Sequence, residues 1–204
     1  MLLLSLLAYF LGSLPFAVIT SKIFHLQDPR TFGSGNPGAT NVLRTGNKFA
    51  ALLTLLGDAL KGTAAIYCAR LYGIDTLEAL SWIGLAAFLG HVFPVFLKFK
   101  GGKGVSTALG VLLGLSPMLA LACLGSWITI ALLSRYSSLA ALVAASLSPV
   151  FAYYLNFPSL SLISLSLMSA ILIFRHHANI TRLLKGEESK IMQKNKIRKN
   201  TPAS

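Results

Sequence analysis

Residues 31–41 hold an unusual concentration of glycine, hydroxyl and amide side chains near the start of the chain. Glycine lets the backbone turn and lets another group approach it closely, and successive turned N–H groups form a nest that attracts anions. Arg44 follows closely and supplies a fork-shaped cation suited to phosphate. We therefore interpret the stretch as a phosphate-binding loop. Its candidate ligands are Ser34, Gly35, Asn36, Gly38, Thr40, Asn41 and Arg44.

Two nucleotide-binding patterns nearly match the same stretch, and both fail on inspection. Gly33, Gly35 and Gly38 have the spacing of the dinucleotide-binding fingerprint, but that fingerprint must follow a strand, and here an apolar membrane-type run precedes it. A P-loop needs lysine where this chain has Ala39. The remaining alternative is an ordinary Asn-Pro-Gly turn between two helices, which would not need so many polar side chains.

A second stretch, residues 98–104, contains three lysines and three glycines. A lysine charge combined with free backbone N–H groups at the N-terminus of a helix is a recurring phosphate site. The alternative is a basic loop that contacts only lipid headgroups. The candidate phosphate ligands in this stretch are Gly101, Gly102, Lys103 and Gly104.

A third polar cluster begins at Arg175. On a helix, His176, Asn179 and Arg182 share one face because each is three residues from the next. The three clusters together supply backbone donors, hydroxyls, amides and cations, a set that suits two phosphates and lacks an obvious carboxylate base. The candidate catalytic residues are Ser34, Arg44, Lys103, His176 and Asn179.

Long apolar runs must position these clusters. The chain has 204 residues, of which 54% are hydrophobic and 12% charged, whereas soluble domains carry about 25% charged residues. We predict an all-α integral membrane protein, a polytopic helical bundle. The net charge of +12 is concentrated in certain loops, so it indicates topology and contact with anionic lipid rather than with nucleic acid. The apolar runs are residues 1–20, 49–69, 77–97, 105–133, 139–155 and 160–174.

Two proline-containing breaks leave the number of spans open. If the breaks at Pro117 and Pro158 are turns, the chain has seven transmembrane helices, and if they are kinks it has five. Both counts put the N-terminus outside, the C-terminus in the cytoplasm and the polar clusters at the cytoplasmic face. Only seven spans put Arg135 in the cytoplasm, which the positive-inside rule favours. The first run lacks a basic n-region and a cleavage site, so an uncleaved span is expected.

We predict a single transmembrane catalytic domain over residues 1–188 and a basic, disordered cytoplasmic tail over residues 189–204. Asp58 and Lys61 lie three residues apart inside a span, and we interpret them as a structural ion pair. His91 is interpreted as a structural histidine. The two cysteines are too few for a disulfide framework or a zinc site, and no metal or cofactor is expected.

Taken together, the motifs resemble those of the bacterial acyl-phosphate-dependent glycerol-3-phosphate acyltransferase family. The matches extend from residue 12 to residue 187, nearly the whole chain. They are Gly12-Ser-Leu-Pro-Phe16, Gly33-Ser-Gly-Asn-Pro-Gly-Ala-Thr-Asn41 with Arg44, Gly57-Asp58 with Lys61-Gly62, Gly90-His91 with Phe93-Pro94, Lys100-Gly-Gly-Lys-Gly-Val105 with Thr107, and Arg175-His176 with Asn179, Arg182, Gly186 and Glu187.

The resemblance implies transfer of a fatty acyl group from acyl phosphate to the 1-hydroxyl of glycerol 3-phosphate, the first step of membrane phospholipid synthesis. The products would be lysophosphatidic acid and phosphate. It also implies a seven-span fold in the bacterial inner membrane, a cytoplasmic active site and a structural role for Glu187. The expected partners are the two substrates and the lipid bilayer, with no nucleic acid and no obligate protein partner.

This chemistry is consistent with the residues present. Acyl phosphate already carries a good leaving group, so the enzyme chiefly has to hold two anions and align the hydroxyl with the carbonyl. Arg44, Lys103 and backbone N–H groups could neutralise the charge and stabilise the developing oxyanion. Two groups could accept the proton of the glycerol hydroxyl: His176 and a phosphate oxygen of the donor.

A membrane transporter of phosphorylated anions is the competing function. Ionisable residues within a span, such as Asp58 and Lys61, would suit it. Transporters usually place their site near the midplane between internal repeats. No repeat is visible in this sequence, and its anion-binding clusters are predicted at one membrane face, so the enzyme is favoured.

Overall fold

The structure is a computed structural model that describes residues 1–191, and every regular element in that range is helical. The all-α prediction is therefore confirmed for these residues. Most of the predicted basic tail, from residue 192 onward, lies outside the described residues. The α-helices are α1 (Leu2–Gly12), α2 (Phe16–Ile23), α3 (Ala39–Leu43), α4 (Lys48–Leu71), α5 (Leu77–Val92), α6 (Val105–Leu115), α7 (Pro117–Ser134), α8 (Ser137–Tyr154), α9 (Ser159–Arg175) and α10 (His177–Leu184), with a 3₁₀ turn at Val95–Leu97.

Within residues 1–191, five stretches are long and apolar enough to cross a bilayer. A sixth is counted if α9 and α10, which meet at an angle of 57°, form one bent span. The prediction of an integral membrane protein is thus confirmed, with five or six candidate spans by length and composition. The five are Leu2–Ile23, Lys48–Leu71, Leu77–Leu97, Pro117–Ser134 and Ser137–Tyr154.

Both proline-containing breaks are helix ends. Pro117 is the first residue of α7, and the Ser116 side chain caps that helix by accepting from the Leu119 N–H. Pro158 stands directly before α9. Proline lacks an N–H and suits the start of a helix, so each proline ends one helix and begins the next. Pro149, by contrast, lies inside α8, which continues through it.

The short helix α6 is buried beside α4. It has 11 residues, which span about 16 Å at 1.5 Å per residue, roughly half of a bilayer core of about 30 Å. A side chain at Gly110 would overlap the backbone carbonyl of Ala59 on α4. Small residues allow such close approach between helices in a membrane, where van der Waals packing drives association. This close approach holds α6 against α4, and the second glycine stretch immediately precedes α6.

The chain after α10 lies at the same end of the bundle as the turn between α7 and α8. The Ile191 backbone N–H donates to the Arg135 carbonyl at 2.7 Å. The Ser138 hydroxyl, at the start of α8, donates to Glu188 at 2.8 Å. The first polar loop reaches the same region, because Arg44 Nη2 lies 3.4 Å from Ser189 Oγ. These contacts place residues 189–191, predicted as tail, against the folded domain.

Candidate active site

The first polar loop is shaped by Asn41, which lies in the five-residue helix α3 and is 2% exposed. Its Oδ1 accepts from the Ser34 backbone N–H at 3.1 Å. Its Nδ2 donates to the carbonyls of Pro29 and Phe32 at 2.7 and 3.1 Å. The amide is therefore used inside the loop, where it positions Ser34, rather than in the direct phosphate contact expected from the sequence.

The second polar loop folds back onto the end of α5. The N–H groups of Gly101 and Gly102 donate to the carbonyls of Val92 and His91, both at 3.2 Å. Two of the donors assigned to phosphate from the sequence are thus engaged with the protein. Gly104 has φ +90°, a conformation that side chains disfavour. It turns the chain into α6 directly after Lys103.

Lys103 and Asn179 join the second and third polar clusters. Lys103 Nζ donates to Asn179 Oδ1 at 2.5 Å. Burial lowers the pKa of Lys103 to about 8; the nearby Glu188 opposes this shift, and Arg182, Arg44 and Arg175 add to it. Lys103 is therefore a cation at neutral pH in a site that already holds several positive charges.

Glu188 organises the third cluster, although the sequence had suggested Glu187. Asn179 Nδ2 donates to Glu188 Oε1 at 2.6 Å, and Arg182 Nε donates to Glu188 Oε2 at 2.7 Å. Burial alone would raise the pKa of Glu188, but bonds from Asn179, Ser138 and Arg182 outweigh it and lower that pKa. Glu187 is exposed. Two adjacent glutamates after Gly186 gave no sequence signal for choosing between them.

His176 is buried at the junction between α9 and α10. Its Nδ1 lies 2.8 Å from the Leu172 carbonyl oxygen. A carbonyl only accepts, so Nδ1 carries the proton and Nε2 is left as an acceptor in the neutral ring. Burial lowers the pKa of His176 to about 4; the bond to Leu172 partly opposes this, and the charge of Lys103 adds to it. The ring is neutral at pH 7.

A cleft of about 420 Å³ brings the three polar clusters together. It also gathers four cations that were not among the predicted site residues, although three of them belong to the predicted polar clusters: Arg30, Lys100, Arg175 and Arg182. The predicted site residues that line it are Ser34, Gly35, Asn36, Gly101, Lys103 and Asn179. The other predicted site residues lie outside its lining: Gly38, Thr40, Asn41, Arg44, Gly102, Gly104 and His176.

The cleft carries a surplus of positive charge. Asp28 is paired with Arg30 at 2.6 Å, and the bond from Arg30 lowers the pKa of Asp28. Glu188 is paired with Arg182 at 2.7 Å. Lys100, Lys103 and Arg175 also line the cleft. These additional cations would neutralise the charge of bound phosphate groups.

Asp58 and Lys61 form a buried ion pair on α4, with Lys61 Nζ 2.7 Å from Asp58 Oδ1. Neither residue lines the cleft. His91 Nδ1 lies 3.4 Å from the same carboxylate oxygen. The structure thus joins three residues that the sequence analysis had treated as a pair and a separate histidine.

Known proteins match nearly the whole chain. A family model described as glycerol-3-phosphate acyltransferase matches residues 2–186. A glycerol-3-phosphate acyltransferase from Bordetella pertussis is 54% identical over 201 residues, covering 94% of this chain and 92% of the relative. Another, from Dechloromonas aromatica, is 55% identical over 189 residues, covering 93% of this chain and 95% of the relative.

Two solved structures of PlsY (YgiH), an integral membrane glycerol 3-phosphate acyltransferase, share the fold. The glycerol 3-phosphate form matches with a TM-score of 0.87 and 41% identity, and covers 93% of this chain and 94% of that one. The lysophosphatidic acid form matches with a TM-score of 0.85 and 40% identity, with the same coverage. Sequence, spans and fold agree, and this chain is an integral membrane enzyme of the glycerol-3-phosphate acyltransferase family.

Proposed function

We propose that the enzyme transfers a fatty acyl group from acyl phosphate to the 1-hydroxyl of glycerol 3-phosphate. The products are lysophosphatidic acid and inorganic phosphate. The observation that carries the proposal is the single cleft in which three polar clusters meet with a surplus of cations. The solved relative is described in forms with glycerol 3-phosphate and with lysophosphatidic acid, which fit as acceptor and product.

The reaction needs two anions to be held together. The glycerol hydroxyl oxygen bonds to the acyl carbonyl carbon, the bond from that carbon to the phosphate oxygen breaks, and the hydroxyl proton passes to a base. Lys103 and the cleft arginines offset the repulsion between the two phosphates. The same positive groups stabilise the negative charge that develops on the carbonyl oxygen.

We assign the proton to the donor's own phosphate. As the bond to the acyl carbon breaks, the donor becomes inorganic phosphate and its oxygens gain basicity, whereas burial lowers the pKa of His176 to about 4. The departing phosphate is therefore assigned as the base. His176 is buried and does not itself line the cleft, whereas Asn179, three residues on, does. We assign His176 to orienting the glycerol hydroxyl through its unprotonated Nε2 when substrate occupies the cleft beside Asn179.

We assign the acyl chain to the rim of the cleft. Phe99 lines the cleft and is 58% exposed. It is an apolar residue in a lining that also contains Lys100 and Arg175, so it offers the first methylenes of a chain a contact in the same cleft as the phosphate site. The rest of the chain would extend between helices into the bilayer.

We propose a seven-span topology in the bacterial inner membrane, with the N-terminus outside and the cleft at the cytoplasmic face. The α6–α7 and α8–α9 breaks are turns, and Arg135 lies beside residue 191. Counting α6 as a short span makes the α7–α8 turn cytoplasmic, as the positive-inside rule favours. The transporter alternative loses its support, since Asp58 and Lys61 are paired with each other away from the cleft.

Donor specificity tests the proposal. Purified enzyme is incubated with labelled glycerol 3-phosphate and either palmitoyl phosphate or palmitoyl-coenzyme A. We expect lysophosphatidic acid from the acyl phosphate alone, because the cationic cleft is suited to a phosphate leaving group. Equal turnover with the thioester would contradict the assignment of the donor.

A further inference from the structure

A buried polar cluster inside the bundle has no role in the reaction described above. Asp58, Lys61 and His91 are 3%, 3% and 8% exposed. Lys61 Nζ lies 2.7 Å from Asp58 Oδ1 and also donates to the Leu14 carbonyl, at the break between α1 and α2, at 2.9 Å. His91 Nδ1 lies 3.4 Å from Asp58 Oδ1. The cluster therefore connects the α1–α2 break, α4 and the end of α5.

Burying such a cluster costs desolvation free energy. Ionisable residues inside a membrane protein are rare and usually pair or serve a function. The desolvation of a buried ion pair can exceed the attraction between its charges, so the pair by itself is weak evidence of added stability. A role in holding another part of the molecule would account for its presence.

The second polar loop lies directly on this cluster. The His91 carbonyl accepts from the Gly102 N–H at 3.2 Å, and the Val92 carbonyl accepts from the Gly101 N–H at 3.2 Å. A side chain at Gly102 would overlap the His91 imidazole at Nε2. The imidazole therefore forms a floor beneath Gly102, and the next residue is Lys103.

The other side of the loop is also held. Arg175 Nη2 donates to the Gly101 carbonyl at 3.0 Å, and its guanidinium lies 5.9 Å from the centre of the Phe93 ring. The loop is thus fixed between His91 on one side and Arg175 on the other. Any movement of this floor would move Lys103 relative to Asn179.

We propose that the Asp58–Lys61–His91 cluster is a positioning device for the second polar loop. Lys61 fixes Asp58, Asp58 holds the His91 imidazole beneath Gly102, and the imidazole sets the depth of Lys103 in the cleft. Glycine is then required at position 102 by the His91 ring rather than by an approaching phosphate. The inference rests on the proposed function, in which Lys103 binds a substrate phosphate.

A steric double-variant test separates these explanations. Gly102→Ala alone places a methyl group where the His91 imidazole lies. His91→Ala alone removes the ring that supports Gly102. Each should raise KM for glycerol 3-phosphate or for acyl phosphate, with a loss in kcat/KM on the order of 10- to 100-fold for a displacement near 1 Å. The double variant His91→Ala/Gly102→Ala should recover part of that loss, because the new methyl group occupies the space that the ring leaves.

Two further variants serve as controls. Gly125→Ala, on α7, adds a methyl group that meets nothing within 4 Å, and its kinetics should match the wild type. His91→Asn places its amide N–H near the position of Nδ1, which faces Asp58, and should lose less activity than His91→Ala. It also supplies the comparison if His91→Ala yields no folded protein.

Three results would overturn the inference. A double variant no more active than Gly102→Ala would mean that the substrate requires the glycine. An unchanged KM in His91→Ala, with only a lower apparent kcat, would mean that His91 merely supports the fold. A His91→Asn variant no better than His91→Ala would show that the contact with Asp58 does not position the ring.

Failure of the proposed function can be told apart from failure of the inference. If the wild type does not use acyl phosphate, the donor assignment fails. The same variants are then compared by the Kd of glycerol 3-phosphate, measured by calorimetry on purified protein. If both single variants have a higher Kd than the wild type, and the double variant a Kd closer to that of the wild type, the positioning device is still supported. An equal Kd in all of these proteins would contradict it.

Discussion

At the scale of single residues, only part of the charged lining of the cleft was predicted, and the side chains that hold its loops in shape were not. Lys103 and Asn179 were selected from residue type and spacing, and the structure joins them at 2.5 Å. Asn41 was selected as a phosphate ligand, but the three hydrogen bonds of its side chain hold the first polar loop together. Such partners depend on how the chain folds back, which residue type alone does not reveal.

Deprotonation of Lys103 should lower the activity of the enzyme at alkaline pH. Burial lowers its pKa to about 8, so the site holds this cation below pH 8 and loses it above. We expect kcat/KM to fall as the pH rises through 8, by about 10- to 100-fold in total for one charge-assisted bond. A profile of kcat/KM between pH 6 and 10 measures this.

Two variants make this test specific. Lys103→Arg keeps a cation throughout the range, so the limb should move to higher pH. Lys185→Ala, which removes an exposed lysine after α10, should keep the wild-type limb. A limb that stays at pH 8 in Lys103→Arg would show that another group is responsible.

His176→Ala should lower kcat without changing the fall in rate at acidic pH, the acid limb of the pH profile. The loss expected for one hydrogen bond to the reacting hydroxyl is about 10-fold. Because burial lowers the pKa of His176 to about 4, its titration does not set the rate between pH 5 and 7. A limb near pH 6 from the substrate phosphate should remain in both enzymes. If the limb disappears in the variant, His176 is the base.

At the scale of elements, helix ends marked by proline were predictable and helix ends set by packing were not. Pro117 and Pro158 break the long apolar runs at the expected places. Pro149 breaks nothing, since α8 continues through it. The short helix α3 forms within the polar stretch where a loop was expected. Its residues Asn41 and Val42 are buried against neighbouring elements, and that burial is absent from any local pattern.

Asn41→Ala should destabilise the first polar loop. It removes the partner of the Ser34 N–H and of two carbonyls, and each buried group left unpaired costs about 1–3 kcal/mol. We expect a lower Tm and a higher KM for acyl phosphate. Thr40→Ala, at the exposed neighbouring position on α3, should keep the wild-type Tm. Equal Tm values for the two variants would contradict the role of Asn41.

At the scale of the whole molecule, composition predicted an integral membrane protein, but it did not predict the number of spans. The α6 helix is shorter than an ordinary transmembrane helix, and its small residues let it pack closely beside α4. Sequence length alone therefore left five and seven spans open. The convergence of three distant polar clusters on one cleft was expected from charge, since basic loops gather on one side of a membrane.

Labelling at Arg135 tests the topology. In a background without Cys68 and Cys123, Arg135→Cys should react with an impermeant thiol reagent only from the cytoplasmic side. The physical reason is that the α7–α8 turn contacts residue 191 at the end of the bundle that carries the cleft. Labelling from the outside would favour five spans.

The most direct test of the account follows both products of one reaction. Purified enzyme is given doubly labelled substrates, with the label on the phosphorus of acyl phosphate and on the carbon of glycerol 3-phosphate, and no thioester is present. We expect lysophosphatidic acid and inorganic phosphate to appear in equal amounts. The rates of formation of both products should fall together in Lys103→Ala. Phosphate release without lysophosphatidic acid, or no product at all until a thioester is added, would contradict it.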